Sequence, residues 1–187
     1  MSLALDDCSD GELSALAVSG RQSAYTALLG RYREPVFRVV RATIGDEDAA
    51  VDVTQEAFVS AFAALKSYDA NRSFKTWISR IAINKCRDWA RRRAVRRFFS
   101  FALPIEAAAT IAEDTFTADQ QISDRAELAR VQAAITTLPQ AIREPLVLRT
   151  IEGMSQAEAA QILGISEKAV EMRLYRARAT LNELLRD

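Results

Sequence analysis

The stretch SQAEAAQILGISEKAVEMRLYRARATL, Ser155 to Leu181, decides how this chain folds. Ser155 and Glu158 have the S-x-x-E spacing of a capping box, so a helix starts there. It ends at Gly164, where a left-handed backbone costs little. Ile165 anchors the turn and Ser166 can cap the next helix. In that second helix, at 100° per residue, Val170, Leu174, Ala177 and Leu181 share one inward stripe. Ala160 is small where the second helix crosses the first. The spacing predicts a helix-turn-helix. The outward face carries Lys168, Met172, Tyr175 and Ala179, flanked by Ala169, Glu171 and Arg176, with Arg173 and Arg178 at its borders. Such a face fits a recognition helix in a major groove. An amphipathic pair packed in a bundle, with solvated arginines, fits the motif alone equally well.

The rest of the chain narrows the choice. Hydrophobic residues make up 49% and charged residues 27% of 187, enough to bury a core in one ordinary domain or two small ones. Few glycines and prolines, with abundant Ala, Leu, Arg and Glu, predict an all-helical protein. The apolar runs are too short to span a bilayer, and the N-terminus is acidic where a secretory signal would be basic. A cytoplasmic protein is expected. The absence of histidine removes His-based triads, His metal sites and the commonest general base. Cys8 and Cys86 lack metal or redox spacing and read as buried or incidental thiols. No phosphate-binding glycine loop or nucleophile–base pair is present, so no enzyme, cofactor or metal is expected. The formal charge is zero, but seven Lys or Arg stand against Asp88 in residues 85–97, while residues 101–127 carry six acids against Arg125. A basic patch between acidic segments can bind phosphate at zero net charge.

Ser9 and Glu12 repeat the capping-box spacing, and a first helix is expected to end near Gly20. A second follows to Gly45, interrupted or bent near Pro35. DEDAAVDVTQEAFVSAFAALKSY is a third, and Ser73 can cap a fourth through FKTWISRIAINKCRDWARRR. The character then changes. Residues 98–122 are acidic, contain Pro104 and lack a helical stripe, so they read as a linker. The expected organisation is two small helical domains, 1–97 and 123–187, joined by a flexible acidic linker.

In the third helix Val51, Phe58, Phe62 and Leu65 form the expected buried stripe. Asp48, Asp52 and Glu56 line another face, with Val59 beside them. A tolerated solvated face is one reading, since like charges at this spacing cost only tenths of a kcal/mol; a docking surface for a basic partner is the other. In the fourth helix Phe74, Ile78, Ile81 and Trp89 are expected inside. Arg80, Asn84, Arg87 and Arg91 form a row bordered by Trp77. Asparagine can pair with base edges and arginines can track a phosphate backbone. A cationic helix C-terminus has a dipole explanation too, but seven basic residues in thirteen exceed what that needs.

Together these blocks resemble one family. DEDAAVDVTQEAFVSAFAALKSYDANRSFKTWISRIAINKCRDWARRR is similar to domain two of the extracytoplasmic-function (group four) sigma factors of the sigma-70 family. LPQAIREPLVLRTIEGMSQAEAAQILGISEKAVEMRLYRARATL is similar to their helix-turn-helix domain four. The resemblance implies a non-enzymatic subunit that binds the bacterial RNA polymerase core, recognises −35 and −10 promoter elements and assists melting. Asp48, Asp52, Gln55, Glu56 and Val59 would dock on the clamp helices of the largest subunit, and domain four on the flap. Lys66, Tyr68 and Asn71 lie in the loop that captures a flipped base of the −10 element. Arg80, Asn84, Lys85, Arg87 and Arg91 would face the upstream −10 element. Ser166, Lys168, Ala169, Glu171, Met172, Arg173, Tyr175 and Arg176 would enter the −35 major groove. Glu171 and Met172 stand where many members have a basic and a small polar residue. Glutamate can accept from cytosine N4 and methionine can touch a thymine methyl, so Glu171 is expected to help select the −35 sequence; an intrahelical pair with Lys168 or Tyr175 is the competing role. The resemblance further implies an anti-sigma partner that hides these surfaces until a stress signal arrives. A sigma-like regulator or decoy that binds DNA or an anti-sigma protein without initiating transcription would use only part of this set.

Overall fold

The computed structural model describes residues 5–102 and 121–186, with backbone only at 100–102 and 121–125. The described residues form eight α-helices and no strand: α1 (Asp10–Val18), α2 (Gln22–Ile44), α3 (Glu47–Ala63), α4 (Phe74–Ala102), α5 (Gln121–Thr137), α6 (Gln140–Leu146), α7 (Gln156–Leu163) and α8 (Glu167–Leu184). A π-helical turn, Val147–Ile151, continues α6. None is long and apolar enough to cross a membrane.

The first core lies among α1 to α4. Leu13, Leu28, Val36, Val40, Phe58, Phe74 and Ile78 are buried together. Ser9 and Glu12 close a reciprocal capping box on α1. Asp46 caps α3 by accepting from the Ala49 N–H at 3.0 Å. The Ser73 hydroxyl accepts from the Thr76 N–H at 3.3 Å at the start of α4. Cys8 and Cys86 are buried and form no disulfide. Burial pushes the Cys86 thiol up to about 12, so it carries no thiolate near neutral pH.

Three sequence expectations change here. Of the interruption or bend expected near Pro35, the interruption does not occur: α2 runs unbroken through it. An interior proline costs about 3 kcal/mol, but Ala24 and Leu28 before it and Val36, Val39 and Val40 after it are all buried, and their burial outweighs that cost. Val51 is 40% exposed. The inward face of α3 is instead Ala50, Val53, Thr54, Ala57, Phe58 and Ala61; small residues let α2 approach, a face that counting large apolar residues misses. Leu65 is buried, but in a short 3₁₀ turn beyond α3, and Phe62 is half-buried. The expected linker start also moves: α4 continues through Ala102 and α5 begins at Gln121, leaving 103–120 outside the described residues. FFSFA contains no glycine or proline to break the helix.

The second core joins the two sequence blocks. Leu138, Leu146, Val147, Leu148, Ala159, Leu163, Val170, Leu174 and Ala177 are buried with Val39 and Ala42 of α2 and Ile83 of α4. α4 is therefore buried on two sides, Ile78 and Ala82 toward the first core and Ile83 toward the second. A second apolar face on this helix was not foreseen.

Two glycines separate local from interdomain strain. Gly164 caps α7 at φ 68°, and a Cβ there would meet nothing within 4 Å. Gly45 caps α2 at φ 77°, and its Cβ would lie 2.5 Å from Thr136 Cγ2 of α5. Gly164→Ala should cost about 1 kcal/mol in urea unfolding, the backbone term alone. Gly45→Ala should cost more, because it adds a clash between the blocks. Equal losses would contradict the close approach.

Candidate nucleic-acid interface

The helix-turn-helix is built as its sequence requires. Ser155 and Glu158 form the complete capping box, and Gly164 is left-handed. Ser166 accepts from the Ala169 N–H at 3.2 Å. Val170, Leu174 and Ala177 are buried against α6 and α7, with Leu181 half-buried. On the outer face Lys168, Glu171, Met172, Tyr175, Arg176 and Arg178 are exposed, Tyr175 at 72%. Ala169 and Arg173 sit at the half-buried border, and Arg173 reaches back to the Ala141 carbonyl at 3.5 Å. Glu171 Oε2 lies 3.2 Å from Lys168 Nζ. The intrahelical pair thus exists, and both side chains remain exposed enough to exchange it for another partner.

On α4, Arg80, Asn84 and Arg91 are exposed and Arg87 is half-buried on the same row. Arg91 pairs with Asp88, and Arg93 stacks over Trp89 at 5.0 Å. Lys85 departs from the row: it lines a shallow groove with Asp52, Gln55, Glu56 and Val59 of α3. In that groove Val59 is 70% exposed, and Glu56 Oε2 meets Arg92 at 3.2 Å. Asp48, Asp52 and Gln55 are exposed beside it.

The loop between α3 and α4 presents its three candidates differently. Tyr68 is half-buried, edge-on to Phe74 at 5.2 Å and close to Trp77; its hydroxyl donates to the Arg72 carbonyl. Burial, then the charges of Asp10 and Asp69, push its pKa up. Trp77 belongs to the same aromatic group, packed against the first core. Asn71 is exposed, with its backbone N–H and side-chain amide both donating to Asp69 Oδ1, at 3.0 and 3.1 Å. Lys66 is exposed.

Two carboxylates that sequence reasoning passed over complete the geometry. Glu144 of α6 is 2% exposed, and Glu152, just after the π-helical turn, is 7% exposed. Arg87 donates to Glu144 through Nε at 2.9 Å and Nη2 at 2.6 Å, a two-pronged charged contact. The Gln140 amide adds a third bond at 2.8 Å. That contact with Glu144 raises the pKa of Arg87 further. Glu152 accepts from Arg38 Nε at 2.8 Å, and Lys75 Nζ donates to its backbone carbonyl at 3.0 Å. The available signal was the position of both acids in the apolar string EPLVLRTIE, since a charged residue on a buried face needs a partner.

The chain matches two family descriptions and several known proteins. Residues 28–96 match the family description "Sigma-70 region 2", and residues 128–181 match "Sigma-70, region 4". The chain is 42% identical to "RNA polymerase sigma factor CnrH" of Cupriavidus metallidurans over 94% of each chain. It is 31% identical to "ECF RNA polymerase sigma factor SigW" of Bacillus subtilis, covering 90% of this chain and 92% of that one. The solved structure of CnrH in complex with the cytosolic domain of CnrY superposes with TM-score 0.70 at 38% identity, over 94% of this chain and 96% of that one.

The capping box makes a pH test of the helix-turn-helix possible. The Ser155 backbone N–H, then its hydroxyl, hold the Glu158 carboxyl below its ordinary range. A depressed folded pKa contributes stability that is present above the unfolded value and lost as pH falls through the folded one. Wild type should therefore lose stability relative to Glu158→Gln as pH drops below about 4.3. Denaturant midpoints between neutral and acidic pH read this out. A wild-type-to-variant difference that stays constant over that range would refute the box as a charged contact.

Proposed function

The chain belongs to the extracytoplasmic-function sigma factors of RNA polymerase, and from that membership we propose how its surfaces divide the work of promoter-specific initiation. The chain binds the bacterial polymerase core and performs no chemistry itself. α8 reads the −35 element in the major groove through Lys168, Glu171, Met172, Tyr175 and Arg176, with Ser166, Ala169 and Arg173 at its edge. Arg80, Asn84, Arg87 and Arg91 of α4 follow the −10 element. The loop from Lys66 to Ser73 takes a flipped base, with Asn71 presented to it and Tyr68 holding the loop against Phe74 and Trp77. Asp48, Asp52, Gln55, Glu56 and Val59 dock on the clamp helices, with Lys85 flanking them, and domain four meets the flap. The chain works in the cytoplasm, where polymerase is. A partner of anti-sigma type controls it, as CnrY partners its relative CnrH.

One observation carries this reading: two separately capped helical blocks each present an exposed polar face, and a third, acidic face with the exposed Val59 lies beside them. A DNA-binding regulator without polymerase would need no such third face.

Two substitutions test the assignment. Asp52→Arg should weaken binding to core polymerase by about tenfold or more, equivalent to roughly 1.4 kcal/mol, while leaving the fold intact because Asp52 is exposed. Undiminished core binding would remove α3 from the interface. Glu171→Ala should reorder preference among −35 variants, with shifts of about 1–3 kcal/mol at a single base position. A uniform loss across sequences, or no change, would reject base selection by Glu171.

A further inference from the structure

We propose that domain four is an intramolecular lid on the DNA-facing side of α4, with Glu144 and Glu152 standing in for DNA phosphates. The proposal rests on the reading of α4 as the −10 face. Lys75, Ser79, Ile83 and Arg87 recur every four residues, so they share one side of α4. On that side Ser79 and Ile83 are buried, while Lys75 and Arg87 end on Glu152 and Glu144. Arg87 belongs at the same time to the row assigned to the −10 element. Its guanidinium fork grips a carboxylate here, with the geometry it would offer a phosphate. It cannot hold both, so closure and −10 binding compete for one side chain.

The competition is asymmetric. The outer face of α8 remains exposed in the closed arrangement, including Tyr175 at 72% and Met172 at 43%. The closed chain therefore offers its −35 helix to duplex DNA while withholding Arg87 from the −10 strand. Opening requires both carboxylates to give up their bases and Ile83 to leave the second core. Docking on polymerase, which holds the two domains at separate promoter elements, supplies that separation.

The test uses the full chain without polymerase. Glu144→Gln/Glu152→Gln removes both charges but keeps side-chain size. Asp7→Asn/Glu183→Gln changes net charge equally at two exposed acids and controls for general electrostatics. Small-angle scattering gives the radius of gyration. Labelled random-sequence DNA, a single-stranded 12-mer and a 20-base-pair duplex, gives affinities at fixed low salt. Relative to the control, the lid variant should expand and bind the single strand about tenfold tighter, because apparent affinity scales with the open fraction. Duplex affinity should be the same in the two variants. Arg38→Glu sets two carboxylates together from the half-exposed domain-two side, and should open the chain as well even if the double variant does not fold. Neither opener expanding the chain nor tightening the single strand would overturn the lid. Expansion without tighter single-strand binding would show that α4 is not the DNA face, and would remove the competition with it.

Discussion

The contact between Arg87 and Glu144 is the constraint on which the rest of this structure depends. A carboxylate at 2% exposure cannot stay charged without a partner, because burying an unpaired charge costs several kcal/mol. Its own domain donates to it through the Gln140 amide. The cation comes from α4, so the surface of domain four is incomplete without domain two. Glu152 repeats the arrangement with Arg38 and Lys75. Replacing such pairs with apolar residues is often neutral or stabilising, so stability alone does not explain them. An apolar seam would hold the domains together without regard to DNA. A seam of carboxylates on arginines can be exchanged, since phosphates or water satisfy the same arginines.

α4 consequently serves several neighbours with different sides. Phe74, Ile78, Ala82 and Cys86 face the first core. Ile83 enters the second. Lys85 and Arg92 border the acidic groove of α3. Arg80 and Asn84 remain exposed. From Phe74 to Trp89 the helix has little surface left for a purely solvated role, and this crowding makes the polar row there more informative than charge counts suggest.

Much of this was legible in the sequence because it is local. The capping boxes at Ser9–Glu12 and Ser155–Glu158, the turn at Gly164 and the stripe Val170–Leu174–Ala177 need only neighbours a few residues away. The exposed row on α8 follows from the same periodicity. The failures are tertiary. Pro35 could not be known to sit inside a continuous helix without knowing that both its flanks are buried. The inner face of α3 depends on which alanines meet α2. Glu144 and Glu152 find their bases 57 and 77 or more residues away, and no local pattern pairs them. The ring of Tyr68, a base-contact candidate by its place in the loop, also packs on Phe74 and Trp77, which that place alone did not show.

The central claim is that this chain confers promoter choice on polymerase. Transcription in vitro, with core polymerase and a library of bacterial promoter fragments, tests it most directly. With the chain added, transcripts should arise at discrete starts whose templates share a −35 and a −10 sequence. Failure of the chain to associate with core, or transcription no more selective than with core alone, would contradict the account.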